Sequence, residues 1–214
     1  INIQALSLKL IGEIEPWILR LPSNLFGILT VLGLYFLTKE LFKNSNNYEL
    51  IALLSTFFLA TSFWHINFSR IGFRAIIAPF FIVLDLYFFI KSFENWKFII
   101  PILSGIFYGL GFYSYIAYRI TPLIFIPILV HYYRHPSVGS RIKKILFIFI
   151  ASTFITTAPL AHYFIKNPEY FFVRATQVSV TESPTPLKDL GKNILKTVGM
   201  FHVSGDWNPR HNDP

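Results

Sequence analysis

Cysteine is absent from the 214 residues, which excludes disulfides, zinc–thiolate sites and thiol nucleophiles. Charge is scarce too. Only 14% of the chain is Asp, Glu, Lys or Arg, against about 25% in an ordinary soluble domain. No internal repeat, low-complexity tract or secretory signal pattern is visible. The chain opens on Ile1 and stops inside a polar stretch, so an internal piece of a longer protein is expected. What is abundant is apolar: 53% hydrophobic, 18% aromatic, with a mean hydropathy of +0.51. Such a chain cannot cover itself with polar groups. A soluble enzyme, a disordered segment and a nucleic-acid-binding domain are therefore excluded. The formal net charge of +8 does not reopen the nucleic-acid reading, because the 19 Lys and Arg cluster in short stretches between apolar runs. That is the pattern of membrane topology.

A helix needs about 20 apolar residues to cross a hydrocarbon core of about 30 Å, and it satisfies its own backbone there. Runs of suitable character lie at Leu21–Leu37, Leu50–Ile66, Ala75–Ile90, Phe98–Tyr115, Ile120–Tyr133 and Ile145–Ile165. The expected fold is an all-α polytopic bundle with about six spans. Residues 1–165 would form the membrane core and 166–214 a polar loop, with a short helix over Leu187–Val198. One set of turns holds Lys39, Lys43, Lys91, Lys97, Arg134, Arg141, Lys143 and Lys144, whereas the opposite short loops hold only Arg70, Arg74 and Arg119. The basic excess marks the first set as cytoplasmic. The arginine loops and the 166–214 segment would then face outward.

Polar groups at membrane depth are costly and carry meaning. Asp85 is the sole acid deep in an expected span; it is either a proton or substrate contact or a hydrogen bond to a neighbouring helix. Arg70, Arg74 and Arg119 stand at the outer span ends against the positive-inside trend, Arg119 following Tyr113, Tyr115 and Tyr118. Guanidinium groups there suit bidentate phosphate contacts, the alternative being snorkelling to lipid headgroups. Gly105, Gly109 and Gly111 would let two helices approach closely. Near the end, Asp206, Trp207, Asn208 and Arg210 suit a sugar through stacking and hydroxyl contacts, the alternative being an ordinary ordered loop. His202, Asp206 and His211 are of the types that bind divalent ions, but their spacing matches no strong ligand motif.

Several segments together resemble a known family. Arg20-Leu21-Pro22-Ser23, Phe26-Gly27, Thr30 and Lys39-Glu40-Leu41-Phe42 look like a span of the GT-C membrane glycosyltransferases. Trp64 through Arg70 into Arg74, Gly109 through Tyr115 to Arg119, and Gly205 through Asn212 are similar to their outer loops. The nearest group is the protein O-mannosyltransferase and aminoarabinose transferase one, with its bacterial RgtA/B/C/D-like members. The resemblance implies a bundle of GT-C type in the bacterial inner membrane. It implies transfer of a hexose or pentose from a polyprenyl-phosphate carrier to an extracytoplasmic acceptor. Arg70, Arg74, Arg119 and Tyr115 would hold the lipid phosphate and substrate; Asp206, Arg210, His211 and Asn212 would touch sugar or acceptor. The family's catalytic acid, and any divalent metal it binds, would lie upstream of Ile1, leaving residues 1–214 inactive alone. A polytopic transporter or lipid flippase is the alternative, although the repeated halves common in transporters are missing.

Overall fold

The computed structural model describes residues 2–12, 15–133, 141–171 and 185–202. Among the described residues the regular structure is helical, with no strand. In chain order the helices are α1 (Asn2–Ile11), α2 (Pro16–Leu41), α3 (Tyr48–Thr61), α4 (Phe63–Arg70), α5 (Ile77–Glu94), α6 (Ile99–Gly111), α7 (Pro122–Tyr133), α8 (Ile142–Lys166) and α9 (Pro186–His202). Short 3₁₀ turns cover Arg74–Ile76 and Ile116–Ile120. The chain divides into two compact units, Ile1–Leu160 and Ala161–Pro214. The expected helix over Leu187–Val198 is present as the interior of α9.

Helix α2 shows why these helices belong in lipid. Its buried residues include Ser23, Gly27, Thr30 and Gly33, small or hydroxylated and recurring every three or four positions. Leu25, Ile28, Leu32 and Phe36 on the same helix are each at least half exposed. Small residues inward and large apolar ones outward is the pattern of a membrane bundle. Lipid tails solvate the large side chains, and close backbone approach holds the helices together. Phe147, Ile150 and Phe154 project outward from α8 in the same way. The chain is thus an all-α, membrane-spanning bundle.

Among the described residues the span count is four to five rather than six. Four helical segments are long and apolar enough to cross: Pro16–Leu41, Arg74–Glu94, Ile116–Tyr133 and Ile142–Lys166. A fifth exists if α3 and α4, bent by 55°, count as one broken span. The break falls at Ser62, whose extended backbone (φ −64°, ψ 124°) ends one helix and opens the next. Thr61 Oγ1 bonds the Phe57 carbonyl at 2.9 Å, a local side-chain bond of the kind that bends helices. The expected Phe98–Tyr115 span shortens to α6, whose 13 residues extend about 20 Å, well short of the hydrocarbon core. Residues 112–114 form turns instead, with Ser114 Oγ bonded to the Gly111 carbonyl.

Helix α5 packs against both α2 and α6. Phe89 of α5 meets Phe125 of α7 edge-on at 4.8 Å and Phe149 of α8 at 4.9 Å. Tyr108 of α6 closes this aromatic core against Phe125 and Phe149. Asp85, fully buried on α5, accepts a hydrogen bond from Ser104 Oγ of α6 at 3.0 Å. The same hydroxyl lies 3.2 Å from the Asp85 backbone carbonyl. Of the two readings of Asp85, the hydrogen bond between neighbouring helices is the one present. Gly105 and Gly109 leave no room for a side chain between α6 and α8: a Cβ on Gly105 would strike Ser152 and the Phe149 carbonyl, and one on Gly109 would stand 2.7 Å from Thr156 Cβ.

The bundle has two chemically different ends. At one, Lys39 pairs with Glu49 at 3.0 Å, and Lys43 pairs with both Glu40 and Glu94. The segment entering α6 and the start of α8 lie at this lysine end. The other end carries the arginines.

Candidate functional site

The arginine end is built on a proline. Pro22 lies inside α2 and has no N–H, so the Ile18 carbonyl four residues earlier loses its helical partner. Ser7 Oγ of α1 donates to that carbonyl at 3.0 Å. The Gln4 side-chain amide reaches the Leu19 carbonyl at 3.3 Å and the Gly72 carbonyl at 3.2 Å. Helix α1 is thereby fastened both to the first turns of α2 and to the loop after α4. Gly72 turns that loop with φ +74°, a left-handed conformation that costs glycine little. A Cβ there would also come within 3.6 Å of Arg20 Cγ and 3.7 Å of the Leu19 carbonyl. Arg20, Arg70 and Arg74 are therefore rooted around one turn.

Helix α4 completes the wall. The bend at Ser62 lays it against α2, where Gly27 leaves room for Ser69 and His65. His65 Nε2 sits 3.1 Å from the Gly27 carbonyl, and Ser69 Oγ bonds the His65 carbonyl at 2.7 Å. An aromatic ladder then crosses the end of the bundle. Trp64 meets Phe68 at 5.6 Å, Phe68 stacks on Phe73 at 5.3 Å, and Phe73 reaches Tyr115 at 6.2 Å. The last step carries the ladder from the arginine turn to the turn that holds Arg119.

Of the residues singled out from the sequence, Arg70, Arg74, Tyr115 and Arg119 come together at this end. Arg70 and Arg74 are exposed, and Tyr115 and Arg119 half-buried. Neither Arg70 nor Arg74 has a carboxylate or hydrogen-bond partner among the described residues. The tyrosines near Arg119 separate. Tyr113 is exposed and donates to the Thr156 carbonyl at 3.0 Å, whereas Tyr118 is buried against Tyr108, Phe112 and Gly111. Asp206, Arg210, His211 and Asn212 lie outside the described residues.

Arg20 is the residue that sequence reading missed. It is exposed, likewise without a carboxylate or hydrogen-bond partner among the described residues, and it lies over the Gly72 turn. Its position just before Leu21-Pro22-Ser23 was the available signal. Nothing in the spacing, however, tells which later loop α2 meets. Cations with no internal partner beside aromatic faces can bind an anion bidentately and an apolar or sugar group by stacking.

Neither a curated protein nor a solved structure matches this chain. The sequence model of the dolichyl-phosphate-mannose-protein mannosyltransferase family matches residues 2–161. Those residues take in α1 to α7, nearly all of the membrane bundle and every element of the arginine end. On that match, the chain belongs to the dolichyl-phosphate-mannose-protein mannosyltransferase family, membrane glycosyltransferases that use a lipid-linked sugar donor.

Proposed function

We propose that this chain is the membrane core of an enzyme that moves a hexose or pentose from a polyprenyl-phosphate carrier to an acceptor on the extracytoplasmic side. The observation that carries this reading is the group Arg20, Arg70 and Arg74 around Gly72, without internal carboxylate partners among the described residues. Phe73 links that group to Tyr115 on the turn before Arg119. A polyprenyl donor lies in the bilayer with its phosphate at the interface, so its enzyme needs cations at one end of an apolar bundle. Breaking the bond between the anomeric carbon and the carrier phosphate leaves negative charge on the phosphate. Fixed guanidinium groups stabilise that developing charge in the transition state. Arg70, Arg74 and Arg119 take this role, with Arg20 added to them, and Tyr115 stands by the sugar or the first isoprene units.

The acceptor hydroxyl needs a base, and the reading assigns none among the described residues. Asp85 is committed to Ser104 in the bundle interior. In this reading residues 1–165 are the transferase core and 166–214 an extracytoplasmic loop, whose Asp206, Arg210, His211 and Asn212 contact sugar or acceptor. The membrane is taken to be the bacterial inner membrane.

The test is transfer from radiolabelled polyprenyl-phosphate sugars by the intact protein, wild type beside Arg70→Ala and Arg119→Ala. A fall of about a hundredfold in each variant is expected if the guanidinium groups act on the leaving phosphate. Full activity in both variants would discard the site while keeping the family. Facilitated lipid movement without any transfer would favour a flippase.

A further inference from the structure

A second feature lies at the lysine end, independent of the transferase reading. Between α6 and α8 runs a groove of about 680 Å³, within the range of small-molecule sites. Trp96, Phe98 and Ile102 form one wall. The other wall is one face of α8: Lys144, then Phe147 and Ile148, then Ala151 and Ser152, then Ile155. Lys143 joins Lys144 at the mouth. The lining is almost wholly apolar, so both lysines meet the groove through their methylene stems and leave their ammonium groups beyond it.

The two lysines set the chemistry of the occupant. Both are exposed, and neither has a carboxylate or a hydrogen-bond acceptor among the described residues. Lys39 and Lys43 at the same end are paired. From Lys144 to Ile155 the face of α8 extends about 16 Å, close to half of a hydrocarbon core of about 30 Å. The groove is thus as deep as one leaflet, charged at its mouth and apolar below. Trp96 at the mouth suits the headgroup level, where indole rings accumulate. Ala151 keeps the floor open, since a larger side chain there would fill it.

We infer that this groove binds one anionic phospholipid of the adjoining leaflet, its phosphate on Lys143 and Lys144 and an acyl chain laid along Phe147, Ile148, Ala151 and Ile155. A polyprenyl chain fits less well, because the apolar floor ends at the depth of a single leaflet.

The test uses the intact protein in neutral detergent, with retained lipid read by native mass spectrometry. Phosphatidylglycerol and phosphatidylcholine with identical acyl chains are the probes. Wild type is expected to hold phosphatidylglycerol at least tenfold more tightly, from about a fivefold gain for each lysine near an anionic headgroup. The paired substitution Lys143→Gln, Lys144→Gln should abolish that preference. Ala151→Phe should remove the bound lipid while leaving both lysines in place. Phe147→Ser, at an exposed position, repeats the apolar half of the test should Ala151→Phe disturb folding. Equal retention of the two lipids by wild type would reduce the groove to ordinary lipid contact and overturn the proposal. So would retention of phosphatidylglycerol unchanged by the lysine pair, or unchanged by both groove substitutions, as a protein segment seated there would give.

Discussion

The rings of Phe73 and Tyr115 lie 6.2 Å apart, tilted by 59°, and this contact joins the two turns that carry Arg74 and Arg119. The pair is worth about 0.5–1.5 kcal/mol beyond the area it buries. Removing it should do little to the fold and more to the site. Tyr115→Ala is expected to raise KM for a polyprenyl-phosphate sugar several-fold, with a change in melting temperature of a few degrees at most. Tyr115→Phe should keep KM near wild type if the ring is what matters. Steady-state kinetics on the two variants separate these outcomes; equal losses in both would assign the role to the hydroxyl.

These 214 residues hold no cysteine, so labelling that appears only when a cysteine is introduced into them reports the orientation of that site. Ile71, exposed beside Arg70, and Asn46, exposed at the lysine end, mark the two faces. Ile71→Cys should react with an impermeant maleimide in intact cells, and Asn46→Cys only after permeabilisation. The reverse pattern would invert the topology.

The hydrogen bond from Ser7 to the Ile18 carbonyl depends on Pro22, and a double-mutant cycle should show it. Ser7→Ala is expected to cost about 1 kcal/mol in the wild-type background. With Pro22→Ala, the alanine N–H can take the Ile18 carbonyl, and the same Ser7→Ala change should cost nearly nothing. Unfolding midpoints in detergent provide the four corners. Additive losses would mean that the serine acts elsewhere.

Asp85 and Ser104 form a second such pair, within the bundle. Ser104→Ala leaves the carboxyl without its partner and should destabilise by about 1–2 kcal/mol. Asp85→Asn keeps an acceptor for the hydroxyl and should be milder, with sugar transfer retained. Loss of transfer in a stably folded Asp85→Asn protein would return this residue to the chemistry.

Glycines of the same chain should respond in opposite ways. Gly105→Ala places a methyl group against the Phe149 carbonyl, which no rotamer change can relieve, and should cost about 1–3 kcal/mol. Gly191 and Gly199 in α9 have open space around the Cβ position. Alanine at either should be neutral or add up to about 1 kcal/mol, since glycine weakens a helix interior. Thermal midpoints of the three variants check both signs.

The composition of the chain by itself determined its class. With this little charge and this much apolar surface, only a bilayer can solvate the outside of the helices. The positions of Arg70, Arg74, Tyr115 and Arg119 at span ends also followed from the sequence, because polar residues interrupt apolar runs where a helix leaves the hydrocarbon. Which runs cross was decided by the tertiary structure. Hydropathy sums over a window and does not register the Ser62 bend or the stop at Gly111, both of which depend on backbone geometry. Packing also placed Arg20 with the later arginines, since only the approach of α2 to the Gly72 turn brings it there. Asp85 became a helix-to-helix bond for the same reason: Ser104 stands opposite it only once α5 and α6 are packed. Local pattern sets what each segment can bury, whereas contacts between distant segments choose its partner.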